Sequence, residues 1–512
     1  MRIEATLRAG RRQHPGKTAI VDGARRLSYA ELCAASDGLA AWLAESGVGR
    51  GDRVVVFAGN GWRTAVALFA VWKAGAVVCP VDPASKARRL SFILDDCMPA
   101  AIVADARAAA TVAAACAGRP AGRPATVLTR PHPALPGAAD FAACLRVAPS
   151  PAAPALRDDD LAAILYTSGS TGVPKGVMLG HDNIAAATAA IVGYLGNTAD
   201  DVILSALPLF FGYGLTQLLT AVQVGATLVL ETSFAYPAAV LDRLRAERAT
   251  GFPVVPSMIA LMLRMDALDP APFASLRYIT SAGAALPVAH IRRLRALLPD
   301  VQLFSMYGQT ECVRATWLPP ADIDRRPDSV GIAVPGGAAA VVDEAGFPVA
   351  PGVVGELVVS GPHVMRGYWN DAAATVRALR RDPLTGDRRL HTGDLFVADD
   401  AGYLSFVSRS DDIVKTGGQK VAPREVEAAL YDLDGVAEAL VVGVPDPVLG
   451  TVLKAMIVRS DDTLGAEEVL RHCAATLSPV MVPKQVEFCR TLAKTGSGKL
   501  SRRAVSSGAT TA

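Results

Sequence analysis

Between residues 17 and 104, short runs rich in valine and isoleucine alternate with stretches of helical periodicity. Lys17-Thr-Ala-Ile-Val21 reads as a strand. In the following Ser28-Tyr-Ala-Glu-Leu32, Ser28 and Glu31 have the spacing of a capping box at a helix start. Asp52-Arg-Val-Val-Val-Phe57 predicts a strand, Trp62 to Lys73 a helix, and Ala76-Val-Val-Cys-Pro80 another strand. Strand–helix alternation of this kind argues for α/β layers with much parallel sheet.

The chain has 512 residues, more than one domain's worth on the usual size prior. Residues 105–157, rich in Ala and Pro, predict surface elements and a loop. A second α/β stretch covers about 200 to 310. From about 330 to 408 short strands with Gly/Pro turns take over, as in Gly355-Glu-Leu-Val-Val-Ser360, which predicts a smaller β-rich subdomain. After Arg409 a compact α+β module is expected, with helices near 423–432 and 464–476 and strands near 436–444 and 453–458.

With 51% hydrophobic and 20% charged residues, a large core is expected and disorder is not. Fifty-one basic residues against 49 acidic ones leave a net charge of +2, which suggests neither a nucleic-acid surface nor a polybasic membrane patch. The 8 cysteines include no C-x-x-C pair, so buried free thiols in a reducing cytosol are the simple reading. Met1-Arg-Ile-Glu-Ala-Thr-Leu-Arg8 has no long apolar core and is not a secretory signal. Val202 to Leu230 carries no charged residue and is long enough to suggest a membrane span. Its proline, glycines and glutamines break the periodicity, so it is read as a loop, a buried helix and a buried strand.

The most informative local stretch is Tyr166-Thr-Ser-Gly-Ser-Thr-Gly-Val-Pro-Lys-Gly-Val177. Thr167, Ser168, Ser170 and Thr171 supply hydroxyls, and Gly169, Gly172 and Gly176 let backbone N–H groups approach a ligand. Consecutive N–H groups in a tight turn make a concave anion site, and Lys175 adds a point charge. The preceding Leu161-Ala-Ala-Ile-Leu-Tyr166 reads as a buried strand, which makes this a strand-then-loop phosphate binder. The common P-loop is excluded, because Pro174 precedes the lysine and Gly176 follows it.

This string resembles the signature loop of the adenylate-forming enzymes: acyl-CoA synthetases, luciferases and peptide-synthetase adenylation domains. Further motifs come in that family's order. Tyr307-Gly308-Gln309-Thr310-Glu311 is similar to its second core motif, which implies an α-phosphate contact for Thr310, a Mg²⁺ ligand in Glu311 and an adenine face on Tyr307. One or two carboxylates plus phosphate oxygens are what Mg²⁺ usually takes. Ser281-Ala282-Gly283-Ala284-Ala285 is similar to the segment along the adenine and acyl sites. Gly355-Glu-Leu and Gly361-Pro-His-Val-Met-Arg-Gly-Tyr-Trp369 match a structural motif. His391-Thr-Gly-Asp394 carries the aspartate that binds ribose hydroxyls in that family. Ser408-Arg409-Ser-Asp411 resembles its hinge, with Arg409 reaching ribose or phosphate and Asp411 the pivot. Lys494-Thr-Gly-Ser-Gly-Lys499 ends the pattern, and Lys499 looks like the mobile catalytic lysine, with Lys175, Thr310 and Glu311 completing the catalytic set.

The resemblance spans the chain and implies a large domain over 1–409, of layered α/β subdomains with a small β-rich one, and a small mobile α+β domain over 410–512. It implies an AMP-forming ligase that uses Mg·ATP to turn a carboxylic acid into an acyl-adenylate and passes the acyl group to a thiol, on coenzyme A or a carrier-protein pantetheine. A free amine as acceptor, giving an amide, is the alternative outcome, and an inactive nucleotide-binding homologue a second. Gly418, in Lys415-Thr-Gly-Gly418, would leave room for the pantetheine arm. The expected localisation is cytoplasmic, with no nucleic-acid partner.

Two positions depart from the family's wording. In Leu207-Pro-Leu-Phe-Phe211-Gly212, Phe211 stands where a histidine is frequent, so titration at this step is not expected; Ala493 replaces a frequent proline. Pocket candidates by resemblance are Phe211, Gly212, Ser281, Ala282, Ser305 and Met306, all uncharged. Between Ser205 and Ala221 there is no Asp or Glu to pair with an ammonium, and an unpaired buried ammonium is costly. The expected substrate is therefore an acid without an α-amino group, with an apolar or aromatic body.

Overall fold

The computed structural model describes residues 2–119, 124–148, 155–168, 174–265, 268–409, 412–416, 419–446, 450–460, 463–494, 500 and 502. It is a mixed α/β protein with a large N-terminal and a smaller C-terminal domain.

The alternation at the start of the chain builds one wall of an eight-stranded sheet. Arg53–Phe57 pairs in parallel with Val77–Pro80 on one side and with Ala101–Ala104 on the other. Each of these strands is apolar on both faces because helices cover both. Helix Trp62–Lys73 is buried from Thr64 to Lys73, as a helix apolar all round must be. Its one buried charge is neutralised: Lys73 Nζ lies 2.7 Å from Asp37 Oδ1 and 2.9 Å from the Cys33 carbonyl. The Trp72 indole donates to the Ala162 carbonyl at 3.0 Å, tying this helix to the strand Leu161–Ser168. Ser28 and Glu31 form the expected capping box ahead of helix Tyr29–Glu45.

The second sheet has fourteen strands. Its parallel half contains Thr18–Asp22, Thr227–Leu230, Val202–Ser205, Gly251–Val254, Tyr278–Ser281 and Gln302–Tyr307. Its antiparallel half continues through Thr316–Trp317, Ser329–Ala333, Leu404–Arg409 and Arg388–Ala398. The β-rich region expected after residue 330 is thus hydrogen-bonded edge to edge with the α/β layer before it.

Two stretches differ from the sequence reading. The charge-free run opens with strand Val202–Ser205, ahead of helix Gly212–Val224 and strand Thr227–Leu230. The Ala/Pro-rich stretch holds the strands Ala125–Leu128 and Ala139–Asp140 at the edge of the eight-stranded sheet, with Val127, Leu128 and Phe141 buried. Alanine hides both in composition, because it favours helix and carries little strand signal. No described helix is long and apolar enough to cross a membrane. None of the 8 cysteines is in a disulfide, and six of them are buried.

In the C-terminal region, helices Pro423–Tyr431 and Ala466–Thr476 pack on a three-stranded sheet of Val436–Asp446, Gly450–Arg459 and Gln485–Phe488. Val426, Leu430, Val441, Ile457 and Val469 form its core.

Candidate functional site

Leu161–Ser168 and Pro174–Gly180 are the two arms of an antiparallel hairpin in which Thr167 stands opposite Lys175. Gly176 is needed in the second arm, since a Cβ there would lie 2.7 Å from Ile164 Cγ2 and 3.3 Å from Trp369 Cβ. The base is braced by Tyr166, whose hydroxyl donates to Asp96 Oδ2 at 2.6 Å. Of the loop residues singled out in the sequence, Gly169, Ser170, Thr171 and Gly172 lie outside the described residues; Ser168 closes the first strand. A third short strand, Gly367–Tyr368, pairs with Val177 and Met178, so that Lys175 Nζ stands 5.3 Å from the centre of the Tyr368 ring. An ammonium over an aromatic face is attracted by the ring quadrupole, which steadies this lysine.

The Tyr368 hydroxyl donates to Glu311 Oε1 at 2.9 Å. Burial first, and then the Glu311 charge, hold this phenol well above its ordinary pKa, so it stays a donor. The Met365 N–H donates to the Glu311 carbonyl at 2.7 Å. Glu311 is thereby held from both side chain and backbone by the segment Gly361–Trp369, which the sequence reading assigned a structural role.

Glu311 and Thr310 follow the strand Gln302–Tyr307 through a turn at Gly308. The chain folds back so closely that a Cβ on Gly308 would sit 2.9 Å from the Val313 carbonyl oxygen, and Val313 itself has φ 58°. Tyr307, at the strand end, donates its hydroxyl hydrogen to Asp394 Oδ2 at 2.6 Å. Gln309 Nε2 donates to the same oxygen at 2.7 Å and to the Thr392 carbonyl at 2.9 Å. Arg409 stands opposite Asp394 in an antiparallel pair, its Nε 3.4 Å from Asp394 Oδ1. Asp394 is 4% exposed, so its charge is balanced by Arg409 and by two donors rather than by water. The Tyr307 ring rests on Phe396 at 4.9 Å and 71° and on Phe406 at 6.5 Å and 27°. Burial and the Asp394 charge push its pKa well up.

Tyr278–Ser281 lies beside this strand, Ser281 against Ser305. Ser281 and Ala282 are buried, Gly283 turns with φ 94°, and Ala284 is exposed. The Ser281 Oγ has no hydrogen-bond partner among the described residues. A buried hydroxyl without a partner at the carboxyl end of a parallel strand marks a place for a polar ligand.

Side chains alternate faces along a strand, so the pocket candidates divide. Ser281, Ser305, Tyr307 and Thr316 share one face of the sheet; Thr280, Phe304, Met306 and Trp317 share the other, by the pairing of Ser281 with Ser305, Tyr307 with Thr316 and Met306 with Trp317. On that second face the Tyr194 hydroxyl donates to Met306 Sδ at 3.1 Å, and the Tyr194 ring stacks on Trp317 at 4.8 Å. Half-buried Phe211 caps helix Gly212–Val224. Gly212 leaves ordinary contact distance, 3.9 Å, to Leu165 of the hairpin. Gly214 has no room at all: a Cβ there would meet the Pro208 carbonyl oxygen at 2.1 Å.

One residue in this neighbourhood was not singled out in the sequence. Arg314 is 3% exposed, with its guanidinium carbon 4.9 Å from the centre of the Tyr213 ring. The signal for it was a lone charge in the run Cys312-Val-Arg314-Ala-Thr-Trp317, directly after the Glu311 motif.

Among the described residues no three His, Cys, Asp or Glu side chains gather as a metal cluster. The Glu311 carboxylate fits Mg²⁺ carried in on phosphate oxygens, since that ion usually takes only one or two carboxylates. Asp411, Gly418 and Lys499 lie outside the described residues. Of the described residues near Lys499 in sequence, Lys494 and Leu500 form a bridge, and Lys494 Nζ is held 2.7 Å from Glu438 Oε1.

Two family models match the chain: AMP-binding enzyme over residues 7–369, and AMP-binding enzyme C-terminal domain over residues 425–499. The chain is 34% identical to a feruloyl-CoA synthase of an Amycolatopsis species, across 96% of this chain and 95% of the relative. It is likewise 34% identical to the L-proline–[L-prolyl-carrier protein] ligase of Streptomyces coelicolor, across 92% and 90%. The crystal structure of ATP-bound MatB from Rhodopseudomonas palustris superposes with a TM-score of 0.89 at 31% identity, covering 99% of each chain.

Proposed function

Because the chain belongs to the AMP-binding enzyme family of ATP-dependent acyl-adenylate ligases, we propose that the site activates a carboxylic acid without an α-amino group and hands the acyl group to a thiol. The observation that carries the activation step of this reading is the buried Asp394 carboxylate, held by Tyr307 and Gln309 opposite Arg409. A carboxylate preset in this way accepts hydroxyl hydrogen bonds from a ribose without first being desolvated.

The other groups then fall into roles. Arg409 reaches ribose or phosphate, and the Tyr307 ring, backed by Phe396 and Phe406, offers its remaining surface to adenine. Gly283, Ala284 and Gly308 leave space for the nucleotide to approach. Thr167, Ser168, Gly169, Ser170, Thr171, Gly172 and Lys175 grip the β- and γ-phosphates, and Thr310 the α-phosphate. Glu311, oriented by Tyr368, would hold Mg²⁺, which when bound supplies charge neutralisation on the phosphates. The acid's carboxylate oxygen attacks the α-phosphorus, a new P–O bond forms, and the bond to the departing pyrophosphate breaks. The reaction is mostly positioning plus cationic stabilisation, and Lys175 and Lys499 are the cations assigned to it.

Residues 1–409 bind the substrates, and 410–512 form the domain that turns about Asp411. Turning carries Lys499 away and brings Gly418 to the path of a pantetheine thiol. The acceptor class is supported by the relatives: one is named for a CoA thioester and one for a carrier protein. The acid class is supported by the charge-free run Val202–Leu230 and by uncharged Phe211, Gly212, Ser281, Ala282, Ser305 and Met306.

ATP–pyrophosphate exchange over a panel of aromatic and aliphatic acids, with free amino acids including L-proline as the opposing arm, tests the first step. Preferential exchange with amino acids overturns the acid class. Product analysis with coenzyme A, a carrier protein and amines offered together tests the second step.

A further inference from the structure

Among the described residues the buried charges come in pairs, with one exception. Glu4, Lys73, Asp201, Asp322, Asp382, Asp394 and Glu438 each face an opposite charge. Arg314, 3% exposed, forms no ion pair with a described carboxylate, and its Nε has no hydrogen-bond partner among the described residues. A guanidinium cannot shed its proton to escape this cost, unlike a buried lysine or histidine. What the fold supplies instead is soft: the Tyr213 ring face at 4.9 Å and the nearby Tyr194 phenol. Tyr213 is committed to Thr280 Oγ1 at 2.6 Å, while the Tyr194 hydroxyl donates to Met306 Sδ at 3.1 Å and its oxygen faces Arg314 as an acceptor. Neither tyrosine carries a charge to neutralise the guanidinium, and its Nε is left over as a buried donor.

Its position says which part of a ligand it would meet. The nucleotide-side cluster hangs from Tyr307, on one face of strand Gln302–Tyr307, whereas Tyr194, Met306 and Trp317 occupy the opposite face. The reacting carboxylate belongs at the α-phosphorus, beside Thr310 and on the Tyr307 side. A ligand crossing the carboxyl ends of these strands would leave its far end at Arg314. Resting on the activity proposed above, we infer that Arg314 is the specificity-determining residue for the acid, and that the preferred substrate is a dicarboxylic acid whose second carboxylate pairs with this guanidinium. A planar fork of donors suits a carboxylate, and pairing there removes the isolated buried charge.

The test uses the full-length protein and matched acids: adipate against hexanoate, and 4-carboxycinnamate against cinnamate, each in ATP–pyrophosphate exchange. The expected result is a kcat/KM at least about tenfold higher for the diacid of one pair. In Arg314→Met the preference vanishes or inverts while the KM for ATP stays within about twofold; in Arg314→Lys part of it returns. Because the wild-type comparison requires no variant, a misfolded Arg314→Met leaves the inference open to refutation. Equal or better exchange with the monoacids overturns it, as does an Arg314→Met protein that loses both members of a pair by the same factor. Exchange with no acid at all would sink the proposed activity, whereas exchange confined to monoacids sinks only the role of Arg314.

Discussion

Tyr307 donates its hydroxyl hydrogen to Asp394 across 87 positions of sequence, at 2.6 Å, and so joins the end of a parallel strand to the middle of an antiparallel one. The bond fixes where the carboxylate points before any nucleotide arrives. Asp394→Asn is expected to raise the KM for ATP by about tenfold to a hundredfold, the loss of a charge-assisted contact of roughly 1.5–3 kcal/mol. Tyr307→Phe should cost only a few-fold. Initial rates at varied ATP check both, and equal effects from the two would mean that Asp394 acts only through the tyrosine.

Glu311 is held by Tyr368, so metal dependence should reveal both residues. Glu311→Gln is expected to lower kcat by about a hundredfold and to shift the Mg²⁺ half-saturation upward. Tyr368→Phe leaves the carboxylate in place but unoriented, and should produce a smaller shift in the same titration.

Lys499→Ala should slow formation of the acyl-adenylate by about a hundredfold or more, by analogy with removing one key charge-stabilising donor. Turnover of a supplied acyl-adenylate should suffer less. Single-turnover measurements of each half-reaction decide; equal losses count against a domain that turns between steps.

His181, His290 and His363 are all buried, and burial holds each of them down to about pKa 4 from an ordinary 6.5. His181 Nδ1 accepts the Ile3 N–H, as a neutral ring does. As pH falls below about 6.5 the unfolded chain takes up protons that the folded one refuses, so stability is complete above that pH and drains away toward pH 4. Each ring contributes up to about 3 kcal/mol to this loss. Denaturant midpoints between pH 7 and 4.5 should fall, and His363→Gln should flatten the slope.

Gly214→Ala should destabilise the protein by several kcal/mol, since its Cβ would overlap the Pro208 carbonyl and displace the Phe211 segment. Thermal melting together with the KM for the acid measures both consequences. Gly212→Ala, with its nearest neighbour at 3.9 Å, should melt near wild type and change only the acid KM.

Features set by local pattern are legible in the sequence. Helix Trp62–Lys73 and the capping box at Ser28 are there as expected, because apolar periodicity and hydroxyl-to-glutamate spacing are properties of neighbours in the chain. The motif residues Tyr307, Asp394 and Arg409 could be named, and the structure brings Asp394 within hydrogen-bond reach of Tyr307 and ion-pair reach of Arg409. Their mutual engagement could not be read, since a contact across 87 positions depends on sheet register. Tyr368 is the sharper case. Its segment looked like turns and packing, and its hold on Glu311 exists only because Gly367–Tyr368 pairs with Val177 and Met178. Arg314 escaped for another reason: a single arginine in an apolar run looks like any surface charge until the burial of its surroundings is known.

The hairpin carrying Lys175 belongs to the eight-stranded sheet, whereas Glu311, Asp394 and Arg409 hang from the turns and strands of the fourteen-stranded one. A nucleotide spanning both would act as a rivet between two separately hydrogen-bonded slabs. Its triphosphate end would fasten one slab and its ribose the other, so ATP should raise the melting temperature more than AMP at equal saturation. If pyrophosphate then left, that rivet would be cut, and the Tyr368–Glu311 hydrogen bond would remain as a direct tie between the slabs.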